Sequence, residues 1–593
     1  MCGILGLIDA QQKDFLSDSL NQFSGAMPHR GPDDKGEYKD GTIYLGHQRL
    51  SLLDLSAAGH QPMHCVDENS IIVFNGEIYN FIELKNELEA LGHRFTSTSD
   101  TEVILVAYSA WGTASFSRFN GMFAFALYDK ELDTVYLVRD HAAIKPLYYS
   151  LENNALLFAS EIRAFKAFKP EWPSNPDWQV YFLTMGFVPF PFTTLQGVNI
   201  LPKGHFLTYH ISQQKSIITP FHQFKFTSTI NNEGKALKQV RDLMFAATER
   251  HLVSDAPIGI FLSGGIDSSL LALIADKLGH ENLNTLSVIF DEATFNEEPY
   301  QNMVLDKMRP HKHYAYKVNE QMFIKQLPDI FNAMDQPSWD GVNSYFISKC
   351  AHEAGLKAVL SGLGADELFG GYPPFNRMGF LKKATALPSF IKGLMRNASK
   401  DSLSRLAFLN LKSNYKEYLF LRGGFNSSIV ATLTGKTEEE VIYTLNKLNL
   451  PNYPEKEDKN LASFLESNVY MENQLLKDTD YMSMWHSLEV RVPFLDRELM
   501  ETVYSINPSL KYNRQRPKYL LTKAFEDILP CEVVYRKKQG FTFPFSIWML
   551  NNKELLKSML PDTPVSLKIW QQFESGKLHW SRVWALIVMN KFN

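Results

Sequence analysis

The sequence has little of what would point to a membrane, a nucleic acid or a disulfide scaffold. Only four of its 593 residues are cysteine (Cys2, Cys65, Cys350 and Cys531), and no two share a CxxC spacing. That pattern argues against a disulfide framework or a zinc site and fits a reducing compartment. No apolar run approaches the ~20 residues that span a bilayer. The N-terminal stretch CGILGLIDAQQ has no basic lead-in and is broken early by Asp9, so no signal peptide is read. Long blocks of one charge are missing too: 60 basic and 65 acidic residues leave a net charge of −5. Nothing resembles the basic stripe of a nucleic-acid surface. Internal repeats and low-complexity tracts are absent. These absences predict a cytoplasmic protein whose partners are small molecules.

The length is too great for one hydrophobic core, and 45% apolar with 21% charged residues is ordinary globular composition. Residues 1–205 are dense in short β-type segments, among them CGILGLI, SIIVFNGEIY, FAFALYD and TVYLVRD. Amphipathic stretches lie at Phe81–Leu91 and Thr101–Trp111. This density predicts layered antiparallel sheets flanked by helices. From about Gly234 the pattern alternates: GKALKQVRDLMFAATERHLV as a helix, APIGIFLS as a buried strand, SSLLALIADKLG as a helix, then TLSVIF and LKAVL as strands. Alternation predicts an α/β domain with a doubly wound parallel sheet and ligands at the carboxyl ends of its strands. The expected division is 1–207, a polar linker 208–235, and 236–593. Residues 374–470 read as helical and carry no legible chemistry.

A cysteine at position two is by itself only suggestive. If Met1 is removed, however, Cys2 bears a free α-amine beside its thiol, and that amine, with a pKa of about 8, can serve as the base. Four further motifs come after it in order: HRGPDD (His29–Asp34), GHQRLSLLDLS (Gly46–Ser56), FNGEIYN (Phe74–Asn80) and SDTE (Ser99–Glu102). Together they resemble the glutamine amidotransferases with an N-terminal cysteine, whose domain is a layered αββα fold of the N-terminal-nucleophile type. Glutamine needs a cation, an anion and an oxyanion hole. Arg49 is suited to grip its carboxylate as a bidentate fork, and the resemblance implies that Asp100 holds its ammonium. Asn75 and the Gly76 N–H would stabilise the tetrahedral oxyanion, with Glu77 beside them.

The second constellation is SGGIDSS (Ser263–Ser269), set between a buried strand and a helix. Its glycines, backbone N–H groups and helix terminus can cradle an anion. It lacks the lysine of a Walker loop and is similar to the loop of ATP pyrophosphatases, which adenylate an acceptor. Asp267 suits Mg²⁺. SGLGADELFGGY (Ser361–Tyr372), LLKDTDYMSMWHSLEVRVPFLD (Leu475–Asp496), RPKYLLTKAF (Arg516–Phe525) and RKKQGFTFPFSIW (Arg536–Trp548) complete a resemblance to the synthetase domain of asparagine synthetases over roughly 236–550. That resemblance implies ATP contacts from Leu262, Ser263, Gly264, Gly265, Asp267, Ser268, Val288, Ser361 and Gly362. It also implies that Leu363 and Asp366 lie at the acceptor, that Asp267 and Asp366 hold Mg²⁺, and that Lys518 stabilises developing charge.

The implied reaction is glutamine hydrolysis, transfer of ammonia through the interior, and amidation of an adenylated carboxylate, with aspartate as the first acceptor. The alternatives are another carboxylate in a specialised pathway, or a glutaminase whose second domain only binds nucleotide. A homodimer is left open. Three departures from the family stand out. Leu363 replaces a glutamate tied to the acyl-AMP intermediate. Tyr481 and Trp485 replace an arginine and a small residue, and these positions are expected near the acceptor. RDHAAIKPLYY (Arg139–Tyr149) lacks the glycine and the bulky residue usually found before IKPLYY.

Overall fold

The computed structural model describes residues 2–9, 17–152, 154–280, 283–398, 401–454, 458–513, 515–538, 540 and 542–593. Two antiparallel six-stranded sheets form the N-terminal part. The first runs in the order Val198–Ile200, Tyr148–Glu152, Ala155–Ala159, Gly3–Asp9, Ile43–Arg49, Asp34–Asp40. The second runs Lys215–Pro220, His205–His210, Thr134–Arg139, Gly121–Asp129, Ser70–Ile78, Met63–His64. The two-residue repeat of a strand decides what each side chain meets. On Gly3–Asp9, Ile4 and Ile8 join Ile71, Val73 and Ala124 of the second sheet in the layer between the sheets. Leu5 and Leu7 face the other way, toward Leu20, Phe23 and Phe165 of the outer helices Ser17–Ser24 and Arg163–Phe168. Helices Phe81–Ala90 and Asp100–Trp111 cover the second sheet through Leu84, Leu88, Val103 and Ile104. This is the αββα layering expected from the sequence.

The third sheet is parallel, in the order Lys312–Lys317, Asn284–Ile289, Ile258–Phe261, Ala358–Leu360, Glu489–Arg491. Ile258–Phe261 comes first in the chain yet sits in the middle, so successive crossovers leave it in opposite directions. A cleft opens at such a reversal, at the carboxyl ends of the strands. The two loops leaving there are SGGIDSS and SGLGADEL.

The stretch 208–235, read as linker, differs from that expectation in its first half. Lys215–Pro220 pairs with His205–His210 and closes the edge of the second sheet. It is exposed along most of its length, and a solvent-facing edge strand has the polar composition of a connector. The rest of the stretch is pinned to the C-terminal part: Phe226 stacks on Tyr504 at 4.3 Å, and Ile230 bridges to Ile506. Residues 374–470 are largely helical. They lead into a ten-residue π-helical run, Glu466–Leu475, which continues directly as the helix Leu476–Met484.

In the RDHAAIKPLYY segment, Ala143 adopts φ +64°. Arg139 donates to the Ala143 and Lys145 carbonyls, and Asp140 accepts from the N–H groups of Ala142, Ile144 and Lys145, so the turn is over-determined. A left-handed conformation costs a non-glycine residue about 1–2 kcal/mol, partly offset by the lower unfolded-state entropy of alanine. Ala143→Gly is therefore expected to stabilise the protein by about 0.5–1 kcal/mol, read as a higher urea midpoint. An unchanged or lower midpoint would show that the turn carries no strain.

Candidate functional sites on either side of one helix

Cys2 begins the central strand of the first sheet and is 7% exposed. Its backbone nitrogen donates to Asn75 Oδ1 at 2.9 Å. Asn75 Nδ2 is thereby left buried with no partner among the described residues, a spare donor on the same amide. Gly76 comes next, where a Cβ would sit 2.1 Å from the Met122 carbonyl oxygen, so only glycine lets the neighbouring strand come this close. Burial pushes the Cys2 thiol up, which leaves it dependent on a base to ionise. Arg49 is clamped by the Ser56, Asp54 and Leu53 carbonyls at 3.0, 2.5 and 3.5 Å. Asp100 accepts from the Ile78 N–H at 2.9 Å, and burial pushes its carboxyl up to about 7. Burial also raises Glu77, 3.4 Å from the Arg491 guanidinium. Despite burial, the cations around Glu489, Arg491 and Lys145 among them, hold it down to about 2.

At the switch point, the helix Ile266–Lys277 starts directly after Gly265. Ser263 and Ser268 hydroxyls meet at 3.0 Å and tie the loop into a ring. A 250 Å³ cavity lies against it, lined by Leu262, Ser263, Gly265, Asp267, Ser268 and, across the sheet, Val288, Ser361, Gly362 and Leu363. Gly264, counted among the ATP contacts from sequence, does not line it; it turns at φ +69° against Tyr300 and Gln301. An adjoining 770 Å³ cavity is lined by Asp366, Lys518, Arg516, Arg536 and Lys538. Lys518 Nζ lies 2.5 Å from Asp267 and 2.6 Å from Asp366, and despite burial these carboxylates raise its pKa. Its backbone is left-handed, φ +45°, an uncommon conformation that recurs at functional positions. Gly371 makes room: a Cβ there would fall 1.6 Å from Asp366 Oδ1.

The helix Leu476–Met484 separates the two sites and touches both. Leu475, Asp478 and Thr479 line the 250 Å³ cavity. Asp480 instead binds Arg30, which is fully buried, at 2.8 Å, and Arg30 also donates to Glu161 at 2.8 Å and to the Cys2 carbonyl at 3.0 Å. Tyr481 and Trp485, expected near the acceptor, do not line that cavity. The Tyr481 hydroxyl bonds that of Tyr148 from the first sheet, and Trp485 packs on His29 at 5.0 Å. A second link is the strand Glu489–Arg491. Val490 lines the nucleotide-side cavity, the Arg491 carbonyl accepts from Ser361 N–H at 2.8 Å, and the Arg491 side chain reaches Glu77. Arg30, Asp480, Glu489 and Arg491 all lie inside sequence motifs, HRGPDD and the stretch ending EVRVPFLD. Glu489 and Arg491 pair two residues apart, but Arg30 with Asp480 and Arg491 with Glu77 pair across hundreds of residues and leave no spacing signal.

Residues 1–222 match the glutamine amidotransferase domain family, and residues 239–580 match the asparagine synthase family. Glutamine-hydrolysing asparagine synthetase 1 of Bacillus subtilis is 31% identical over 97% of this chain and 92% of its own length. Glutamine-hydrolysing asparagine synthetase 3 of the same organism is 32% identical over 91% of this chain and 87% of its own. Amidase chry2 of Gibberella zeae is 28% identical over 92% of this chain and 90% of its own. The two family matches lie in the order amidotransferase then synthase, and together with relatives similar over nearly the whole chain they establish that it belongs to the glutamine-hydrolysing asparagine synthetase family of glutamine-dependent, ATP-using carbon–nitrogen ligases.

Proposed function

We propose that Cys2 releases ammonia from glutamine and that the Ser263–Ser268 loop serves ATP-driven amidation of a carboxylic acid. The observation that carries this reading is the strand Glu489–Arg491, which lines one cavity with Val490 and reaches the other site with Arg491. Ammonia protonates in water, so two sites joined through buried protein suit a nucleophile that must stay neutral.

On the glutamine side, the Cys2 thiolate attacks the side-chain amide carbon. Asn75 Nδ2 and the Gly76 N–H receive the oxyanion, each such donor contributing about 3 kcal/mol. The C–N bond breaks, ammonia leaves, and water later cleaves the thioester to glutamate. Arg49 and Asp100 orient the substrate's carboxylate and ammonium. On the other side, a carboxylate oxygen attacks the α-phosphorus of ATP and pyrophosphate departs. Ammonia then attacks the acyl carbon, loses a proton and displaces AMP. Lys518 faces the departing charge, supported by Arg516 and Lys538 in the same cavity. Asp267 and Asp366 already bracket one cation, the Lys518 ammonium, which suits Mg²⁺. Mg²⁺ takes one or two carboxylates and completes its shell with phosphate and water; when bound it would neutralise the pyrophosphate.

The relatives are named for asparagine, which makes aspartate the first acceptor to test. A second reading, another carboxylic acid, is favoured by the cavity wall. Leu363 can neither ionise nor accept a hydrogen bond, and no lysine, arginine or histidine is among the described residues lining the 250 Å³ cavity.

Cys2→Ala is expected to abolish activity with glutamine and to keep it with ammonium salts, and intact-mass measurement of active enzyme should show Met1 removed. Loss of both activities would mean that Cys2 is structural. Asp267→Asn should stop ATP-dependent pyrophosphate release with either nitrogen source while glutamine hydrolysis persists; undiminished release refutes the assignment of the loop. The pH profile is a third check. Asp100, raised to about 7, is neutral below that pH and loses its hold on the glutamine ammonium. The fall in kcat/KM for glutamine should therefore steepen below about pH 7, by about a further tenfold per pH unit beyond the fall that the Cys2 amine sets below about 8. A profile flat from pH 5 to 8 (a span of about three units) contradicts this role for Asp100.

A further inference from the structure

The acceptor side of the synthetase cavity has an unusual charge. Asp478 lines it at 4% exposure and accepts from the Ser338 hydroxyl at 2.7 Å. Asp340 lines the same wall, accepts from the Gly341 N–H at 2.9 Å, and lies close enough to raise Asp478 electrostatically. Neither carboxylate has an ion-pair partner among the described residues. Lys477, the residue before Asp478, donates to the Val188 carbonyl at 3.2 Å and acts on Asp478 only as a nearby charge. Buried carboxylates without a cation are costly, so this wall is short of positive charge.

Asp340 and Asn343 also line the pyrophosphate-side cavity and a third one, so all three meet at this point. The third is a 290 Å³ chamber walled by Trp339, Tyr418, Tyr470, Phe545 and Trp580. Its size is near the lower end of small-molecule pockets, about 300 Å³. Two basic groups line it and both are engaged, and a third, Arg582, lies 4.6 Å over the Trp339 ring. Arg422 pairs with Glu466 at 2.7 Å and stacks on Tyr470 at 3.8 Å, and the His579 ring bonds the Ser581 hydroxyl. The Trp339 indole N–H is buried with no partner among the described residues. Aromatic faces beside carboxylates are the surroundings in which an organic cation is held. An aspartate whose side-chain carboxylate reacts would leave its ammonium and second carboxylate here. The ammonium is served by two acids, whereas the carboxylate would meet Leu363 and aromatic rings.

Resting on the adenylation reading above, we infer that the acceptor is a carboxylic acid carrying a cationic group and, instead of a second carboxylate, an apolar or aromatic arm. Asp478 and Asp340 hold the cation, and the chamber around Trp339 and Trp580 takes the arm. These residues set specificity and take no part in bond making.

The test is pyrophosphate release from ATP with saturating ammonia and four acids of one propionate core: aspartate, β-alanine, hydrocinnamate and β-phenylalanine. β-Phenylalanine keeps the amine of aspartate and puts a ring where aspartate has its second carboxylate. It should exceed aspartate in kcat/KM by about tenfold or more, the scale of one desolvated charge left unpaired. Asp478→Asn should lower kcat/KM for β-phenylalanine by about tenfold and leave hydrocinnamate unmoved. Trp339→Leu should penalise β-phenylalanine and spare β-alanine. Retained glutamine hydrolysis certifies the fold of each variant, and Asp340→Asn replaces Asp478→Asn if that variant fails to fold. Aspartate leading the series, or β-phenylalanine indifferent to the aspartate variant, overturns the inference and leaves adenylation standing. Absence of pyrophosphate with all four acids overturns the adenylation reading and the inference with it.

Discussion

A guanidinium buried between two domains organises much of this molecule. Arg30 has no exposed surface, holds Asp480 of the synthetase helix at 2.8 Å, and donates to the carbonyl of Cys2. Removing two opposite charges from water costs several kcal/mol per ion before their attraction is counted, and such pairs add little net stability. The contribution of this pair is position. The strand end that carries the Cys2 thiol and the helix that walls the 250 Å³ cavity share one anchor, so neither can shift without leaving a charge unpaired. The same logic extends to Arg491, whose backbone accepts from Ser361 while its side chain serves Glu489 and Glu77.

Charge is distributed between the sites in a way that matches the groups each must hold. Around Cys2 the acids Glu77, Asp100 and Glu489 are set against cations such as Arg491 and Lys145, and burial makes the first two reluctant to ionise. The 770 Å³ cavity is lined by six basic side chains against four acids, Asp267, Glu297, Asp340 and Asp366, an excess of positive charge suited to a polyanion. The 250 Å³ cavity between them has acids alone among its charged lining residues. Neighbouring sites of mixed, positive and negative charge can sort chemically different groups without moving parts.

Much of this architecture is legible in the sequence. The short β-type segments such as CGILGLI predict the layered sheets, and SGGIDSS between an apolar strand and a helix predicts the loop at the switch point. Where the reading runs short, the causes are specific. Lys215–Pro220 looks like a linker because an edge strand shows its polar flank to solvent. Tyr481 and Trp485 are expected near the acceptor by resemblance to the family, and the helix carries them past the 250 Å³ cavity that Asp478 lines. Each residue of a helix advances about 1.5 Å, so Trp485 lies about 10 Å beyond Asp478, already against the other domain. Arg30 and Asp480 are each visible as charged residues in a motif, but their partnership depends on tertiary distance. The aromatic chamber gathers Trp339, Tyr418, Tyr470, Phe545 and Trp580 from five separate stretches, and no local pattern announces it.

The π-helical run Glu466–Leu475 sets the orientation of the helix behind it. Each residue inserted into an α-helix turns everything downstream by about 100°, and wide turns of this kind recur at functional sites. The run ends where Leu476–Met484 begins, so it fixes the rotational phase of the helix that faces both sites. Excising one residue there would swing Asp480 away from Arg30 and Asp478 out of the cavity together, a phase error transmitted down a rigid shaft.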